Sequence, residues 1–467
     1  MLDLRVWLKK LEDHGAVQTV KGMHWDLEIG VATRARTPHG RGRMVESDRA
    51  FLFDDIVDYP SGFRILTNTG STPRLSALTM GMPIPASGKE LTRALRKKLV
   101  EWEATHDKFE PQVVKTGPIL ENVDCGKDVN LFKFPIPKWH PLDAGRYIGP
   151  GVAVITQDPD TGETNLGTYR CQVHDEKTTG VWISPGHHGR LHREKYHAQG
   201  KPCPMAISIG HHPLVFVMAS NHVPFGSEYN LIGAASGEPV KVIKEELTGL
   251  PIPAQSEIVI VGWCPPDKRR IEGPFGEGGA GDYYHPPESQ NIIEVERIYY
   301  RNNPIIHGGV SGIVGLGNAM LLNHLQRCGV PDVQAVWTGE GGKVVVVSIK
   351  QRYGGHARQA ALVASQAPAG GVYHGRYVIV VDEDVDPSNL KDVMWAMCTR
   401  SNPAIDIDII RRAWSTPLDV TIHKPTKDFT NSRAIIDACK PFEWIDEFPQ
   451  VITWDPELVE RVKKKLQ

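Results

Sequence analysis

Hydrophobic positions recur along this chain with two different periods, and the change from one to the other divides it into three stretches. At the N-terminus Leu4, Trp7, Leu8 and Leu11 fall on one helical stripe with charges between them. That pattern predicts an amphipathic helix, not a signal peptide. A second helix is expected over Glu90 to His106, where Leu91, Leu95, Leu99 and Trp102 keep the helical spacing. From about residue 125 to 310 the pattern becomes that of strands: Gly151 to Gln157, Asn165 to Val173, Thr179 to Ser184, Met205 to Ser220, Glu257 to Trp263 and Ile292 to Tyr300. Gly, Pro and Asp turns separate them, and a barrel or sandwich is the natural packing. After Gly317 helices and strands alternate. Helices are expected near Asn318 to Arg327, Ala357 to Gln366 and Pro387 to Arg400, and strands at Val333 to Trp337, Val344 to Ile349 and Tyr377 to Val381. A last helix, Pro456 to Lys465, opens on Asp455 as N-cap with proline at N1.

The expectation is a mixed α/β (α+β) protein of three parts: an N-terminal α/β lobe over 1–120, a β-rich middle over 121–315, and a C-terminal α/β domain with a terminal helix over 316–467. Composition narrows the function. The 53 basic against 55 acidic side chains leave a net charge of −2, so nothing sequence-wide points to nucleic acid or an anionic membrane. The longest apolar runs are too short to cross a bilayer. Seven cysteines without a CxxC pair indicate neither a zinc knuckle nor a disulfide framework. A cytoplasmic enzyme acting on a small molecule is the expectation.

Three groups of residues carry candidate chemistry. In Ile271-Glu272-Gly273-Pro274-Phe275-Gly276-Glu277-Gly278-Gly279, glycine and proline exclude a helix, so a tight loop can turn both carboxylates toward one point. Burial and mutual repulsion would raise the pKa of one, leaving an acid that donates a proton beside a carboxylate that stays charged. The alternative is a surface turn with two solvated glutamates. The second group is the strand-like Thr164 to Val173, which contains Asn165 and Arg170. These two are an odd number of positions apart, so they share one site only if Asn165 sits at a strand end or a bulge. An arginine in a half-buried strand wants an anionic partner.

The third group is a run of histidines: His187, His188, His192, His197, His211, His212 and His222. His188 and His192 are four apart, as in zinc hydrolases, but the HExxH glutamate is missing. Downstream, the loop from Met218 to Tyr229 ends with Glu228; Asn, His and Glu together suit a hard divalent ion holding a phosphate better than they suit zinc.

Taken in order, the strand Asn165 to Arg170, His188, the loop ending at Glu228, and Glu272-Gly-Pro-Phe-Gly-Glu277 resemble the UbiD-type decarboxylases, which use prenylated FMN. Val380 to Pro387 and Val393 to Arg400 extend the resemblance. It implies a central split β-barrel that binds the flavin, an N-terminal lobe and a C-terminal domain used for dimerisation. It implies a divalent metal, usually manganese, on Asn165, His188 and Glu228, with potassium near Ala219 and Ser220. His188 is preferred to His187 because His188 to Gly200 matches the family's helix after the ligand; His187 would then face the flavin. Thr168 and Tyr169 would lie along the cofactor. Arg170, Glu272 and Glu277 would be the catalytic set, with Arg170 and Glu272 placing the substrate carboxylate and Glu277 acting as general acid. A flavin prenyltransferase would supply the cofactor. His211, His212 and His222 lean toward a polar aromatic or heteroaromatic acid. Two rival readings stand beside this one: a metal-dependent hydrolase built on the His187 to His222 cluster, and a non-catalytic subunit of a carboxylase complex that keeps the metal set alone.

Overall fold

A computed structural model describes residues 2–34, 47–85, 87–277, 283–309, 313–339, 342–367, 375–422 and 428–466. Gly278 and Gly279 of the acidic loop therefore lie outside the described residues. The first helix, Leu4–Asp13, forms as its periodicity predicts: Asp3 accepts hydrogen bonds from the Arg5 and Val6 amides, and Leu4, Trp7, Leu8 and Leu11 are buried. Its apolar stripe covers a four-stranded sheet in the order Val17–Lys21, Ala50–Asp54, Arg64–Thr67, Ile305–His307. The fourth strand comes from far down the chain, which ties the N-terminal lobe to the end of the β-rich region.

The middle of the chain builds a ten-stranded sheet whose backbone is Tyr147–Ile148, Cys171–Asp175, Thr178–Gly180, Glu288–Tyr300, Ile258–Cys264, Cys203–Ile209, Val152–Gln157 and Thr164–Gly167, in that spatial order. All the pairings in this sheet are antiparallel, and a continuous core of Val, Ile, Tyr and Phe packs on it. Among the described residues its two ends do not pair with each other, so the barrel is not closed. Two expected strands are broken. Met205 to Ser220 is strand only in its first part; Pro213, with His212 as N-cap, starts the buried helix Pro213–Ala219. All seven residues of that helix are buried, and an all-apolar run carries no period that separates helix from strand. Asn165 to Val173 is likewise two strands, Thr164–Gly167 and Cys171–Asp175, with a break at residues 168–170. Thr179 to Ser184 shortens to Thr178–Gly180, followed by a single bridge between Arg170 and Trp182.

The C-terminal part is a five-stranded sheet in the order Val333–Gly339, Val344–Ile349, Tyr377–Asp382, Thr430–Ala438, Ile407–Trp414. Helices Leu316–Arg327, His356–Ser365 and Leu390–Arg400 accompany it, the last capped by Asn389 and not begun at Pro387. The sequence reading had no strands after Arg400. The acidic segment at Asp382 and Asp384 is explained by the buried Arg400, whose guanidinium bonds both carboxylates. The terminal helix Pro456–Leu466 is capped by Asp455, which accepts from the Leu458 amide, and it buries no side chain. Among the described residues no helix is long and apolar enough to cross a membrane.

Three histidines of the sequence cluster belong to this architecture and not to the site. His192 is fully buried and bonds Thr156 Oγ1 at 3.0 Å through Nδ1. His211 bonds Ser208 Oγ, and His212 accepts from the Leu214 amide. Burial holds His211 well below its usual pKa, His212 at about 3, and His307, on the strand beside them, at about 4. Each is neutral in the folded chain but takes up a proton in the unfolded chain once the pH falls below about 6.5. The unfolded state then binds more protons, so this contribution to stability is complete above pH 6.5 and is lost on acidification. Each histidine is expected to remove about 1.4 kcal/mol per pH unit below 6.5, down to its folded pKa. Urea midpoints at pH 7 and pH 5 check this; a pH-independent midpoint would contradict it.

Candidate active site

The break after Gly167 resolves the parity problem of Asn165 and Arg170. Residues 168–170 leave the sheet, the Thr168 amide donates to the Ala219 carbonyl at 3.1 Å, and the chain re-enters the sheet between different neighbours, Tyr147–Ile148 and Thr178–Gly180. Asn165, Thr168 and Tyr169 consequently line one cavity of about 700 Å³, together with His187, His188, Ser220, Glu228 and Glu277. Ile313 and Leu316 line it as well, as do Trp414 to Pro417 and Phe429 from the ends of the last two strands of the C-terminal sheet. The hydrophobic pattern predicts no strand after Arg400, so the sequence does not point to those C-terminal residues. Of the late histidines only His222 lines the cavity; His211 and His212 do not contribute the polarity expected of them.

At one end stand Asn165, His188 and Glu228. Asn165 and Glu228 are each 3% exposed. His188 is the first residue of the helix His188–Ala198 and is half-buried, its ring 4.0 Å from that of Phe225. Burial pushes the Glu228 carboxyl up to about 8, and burial lowers His188 so that its ring is neutral at pH 7. Glu228 Oε2 is buried without a hydrogen-bond partner among the described residues. A buried carboxylate without a counter-charge is costly, and a neutral imidazole with an amide oxygen beside it is the donor set of a hard cation. The residues therefore fit a divalent metal. Tyr169 fixes this end: its hydroxyl accepts from the Gly189 amide at 3.3 Å, and a Cβ at position 189 would lie 2.8 Å from the ring. Among the described residues no three His, Cys, Asp or Glu side chains converge as a metal group.

At the other end is an arginine between two glutamates. Arg170 donates from Nε and Nη2 to the two oxygens of Glu272 at 2.8 and 2.7 Å, with both side chains out of solvent. Nη2 also donates to His285 Nδ1 at 3.0 Å, and the Trp182 ring lies 4.6 Å from the guanidinium carbon. Nη1 faces Glu277 Oε2 at 3.8 Å. The acidic loop thus does not hold two bare carboxylates against each other. Glu272 ends one strand, Arg269–Glu272, and Glu277 ends the next, Phe275–Glu277. Arg170 and Glu272 lie behind the cavity wall, and Glu277 forms part of it.

Residues with no visible signal in the sequence hold this arrangement. The Tyr147 hydroxyl donates to Glu272 Oε1 at 3.0 Å, and burial keeps it a phenol, far above its usual pKa. Gln172 Oε1 accepts from the Gly273 amide at 2.9 Å. Asp143 Oδ1 accepts from the Gly276 amide at 2.8 Å, one residue from Glu277. Position 276 must be glycine, since a Cβ there would lie 2.4 Å from His140 Nδ1.

Three matches cover nearly the whole chain in order. Residues 8–95 match the N-terminal domain of 3-octaprenyl-4-hydroxybenzoate carboxy-lyase, 112–314 its Rift-related UbiD domain, and 313–438 its C-terminal domain. The chain belongs to the UbiD family. A phenolic acid decarboxylase of Sedimentibacter hydroxybenzoicus is 35% identical over 463 residues, covering 94% of this chain and 92% of the relative. A pyrrole-2-carboxylic acid decarboxylase of Pseudomonas aeruginosa is 30% identical over 432 residues, covering 87% and 84%. The UbiD-class enzyme HmfF of Pelotomaculum thermopropionicum in complex with FMN matches with a TM-score of 0.83 at 26% identity over 98% of each chain. An evolved dimeric form of that enzyme in complex with prFMN gives a TM-score of 0.80. The UbiD chain is a carboxy-lyase with the mixed α/β fold of its class.

Proposed function

We propose that this UbiD chain catalyses the reversible, non-oxidative decarboxylation of an aromatic, heteroaromatic or α,β-unsaturated carboxylic acid with prenylated FMN. The observation that carries the reading is that the cation-seeking Glu228 and the carboxylate of Glu277 line a single cavity, with the Arg170–Glu272 pair directly behind Glu277. Asn165, His188 and Glu228 would hold a divalent metal, manganese, on the flavin phosphate. Ala219 and Ser220 would supply oxygens to a potassium ion. Thr168, Tyr169 and His187 would lie along the flavin.

Prenylated FMN supplies an acceptor for the electron pair left when carbon dioxide departs from an sp² carbon, which no side chain offers. Glu272 and His285 pin the guanidinium, so Arg170 presents Nη1 in one direction, and that N–H orients the substrate carboxylate. As the C–C bond to the carboxylate breaks and carbon dioxide leaves, Glu277 delivers its proton to the vacated carbon. In the reverse direction Glu277 takes that proton and carbon dioxide adds. The presence of the complete Arg170, Glu272 and Glu277 set favours this over a non-catalytic carboxylase subunit. The division into 1–120, 121–315 and 316–467, pairing of two chains through the C-terminal domain, and loading by a flavin prenyltransferase belong to the same proposal.

Denaturing the protein from cells that also express the prenyltransferase is expected to release a flavin with the mass of prenylated FMN, and the loaded protein to release carbon dioxide from an acid in an aromatic panel. Release of no flavin would overturn the reading. Glu228→Gln is expected to weaken manganese retention by at least about tenfold, since even loss of a supporting contact to a ligand costs that much. Metal analysis after dialysis checks it; unchanged manganese would remove Glu228 from the ligand set.

A further inference from the structure

A second cavity of about 200 Å³ adjoins the first, between the helices Gly88–Thr105 and Leu316–Arg327 and the turn after Pro213–Ala219. Trp102, Met218, Leu231 and Met320 give it an apolar lining with an indole face and two thioethers. Asn323 lines it too; this side chain is 6% exposed and makes no side-chain hydrogen bond among the described residues. Asn221, His222, Val223 and Leu316 are common to both cavities, so one layer of side chains separates them. At the rim Arg327 is paired with Glu103 at 3.1 Å, and burial holds His324 below its usual pKa, so no spare positive charge awaits an anion.

The chemistry of the two cavities differs accordingly. A carboxylate belongs at Arg170. A planar ring that has lost its carboxylate has no anionic partner to keep, and it gains from contact with indole and thioether groups. An apolar cavity of about 150 Å³ holds a benzene ring, and the unpaired amide of Asn323 answers one polar substituent on it. We infer that this chamber binds the neutral arene formed by decarboxylation, as a way station beside the reaction cavity for a ring that carries one hydrogen-bonding group. The word product rests on the function proposed above; the binding site does not.

The test uses 4-bromophenol with the flavin-loaded full chain, located by bromine anomalous scattering in crystals and titrated by calorimetry in solution. Bromine is expected between Trp102 and Met320. Asn323→Leu is expected to weaken binding in the chamber by about fivefold, the worth of one hydrogen bond. Met320→Trp is expected to abolish it by filling the space; both changes lie outside the reaction cavity, so flavin content is expected to stay the same. Bromine confined to the large cavity, or affinities unchanged in both variants, would overturn the chamber while carbon dioxide release still stood. A filled chamber in a protein that decarboxylates no acid would overturn the product assignment instead.

Discussion

Glu277→Gln is expected to lower kcat by about 10²–10⁴-fold, the usual worth of a positioned general acid, while flavin content and fold are kept. The substitution preserves shape, and the side chain still reaches toward Arg170 Nη1, 3.8 Å from Glu277 Oε2. It removes only the proton that the vacated carbon needs. The measurement is carbon dioxide release under saturating acid, with the mass of released flavin as the control for loading. A variant that turns over within threefold of the parent would mean that the proton comes from elsewhere, and Glu277 would become a positioning group. Substrate affinity is expected to change little, because the proposed function gives the carboxylate to Arg170 and not to Glu277.

Arg170→Met is expected to abolish turnover and also to destabilise the fold by about 3–5 kcal/mol, the cost of leaving a buried charge without its partner. Glu272 is fully buried and spends both oxygens on the guanidinium, with Tyr147 as its remaining hydroxyl donor. Replacing both members, Arg170→Met with Glu272→Leu, is expected to restore most of the lost stability, since an apolar pair of similar volume stands in for an ion pair at little net cost. Activity is expected to stay absent in the double variant. Denaturant titrations of the three variants give the coupling. A single variant as stable as the parent would show that Glu272 does not depend on Arg170.

What the sequence reveals of this site follows from the range of each interaction. The N-terminal helix is legible because its stripe and its Asp3 cap are local. The parity of Asn165 and Arg170 asks for an irregularity only if the two share a site; the chain does break after Gly167, and Asn165 lines the cavity while Arg170 lies behind its wall. The apolar run from Met205 to Ser220 hid a helix because burial on all sides erases any period. His188 and His192 share a helix, yet one reaches the cavity and the other binds Thr156, a choice set by packing against Val152–Gln157 that spacing does not encode. The support around Glu272 is illegible for a different reason. Tyr147 reaches Glu272 across 125 residues and Gln172 reaches the Gly273 amide across 101, and a lone tyrosine or glutamine in a strand carries no mark of its partner. The strands Ile407–Trp414 and Thr430–Ala438 went unseen, and with them the Trp414 wall of the cavity.

The guanidinium of Arg170 is already answered by Glu272 before any ligand arrives. A carboxylate placed at Arg170, as the proposed function has it, would meet a dipole with a fixed direction and not a bare cation, so orientation rather than attraction would govern its hold and ionic strength would have little grip on it. On the proposed function, departure of carbon dioxide and of the Glu277 proton would move the negative charge from the ligand to the protein without its leaving the neighbourhood of Nη1. One N–H would then serve two anions in turn, Glu277 standing 3.8 Å from Nη1, and the reaction would be a hand-over of charge. A pocket built this way has no built-in preference between losing carbon dioxide and taking it up; the surrounding concentrations choose.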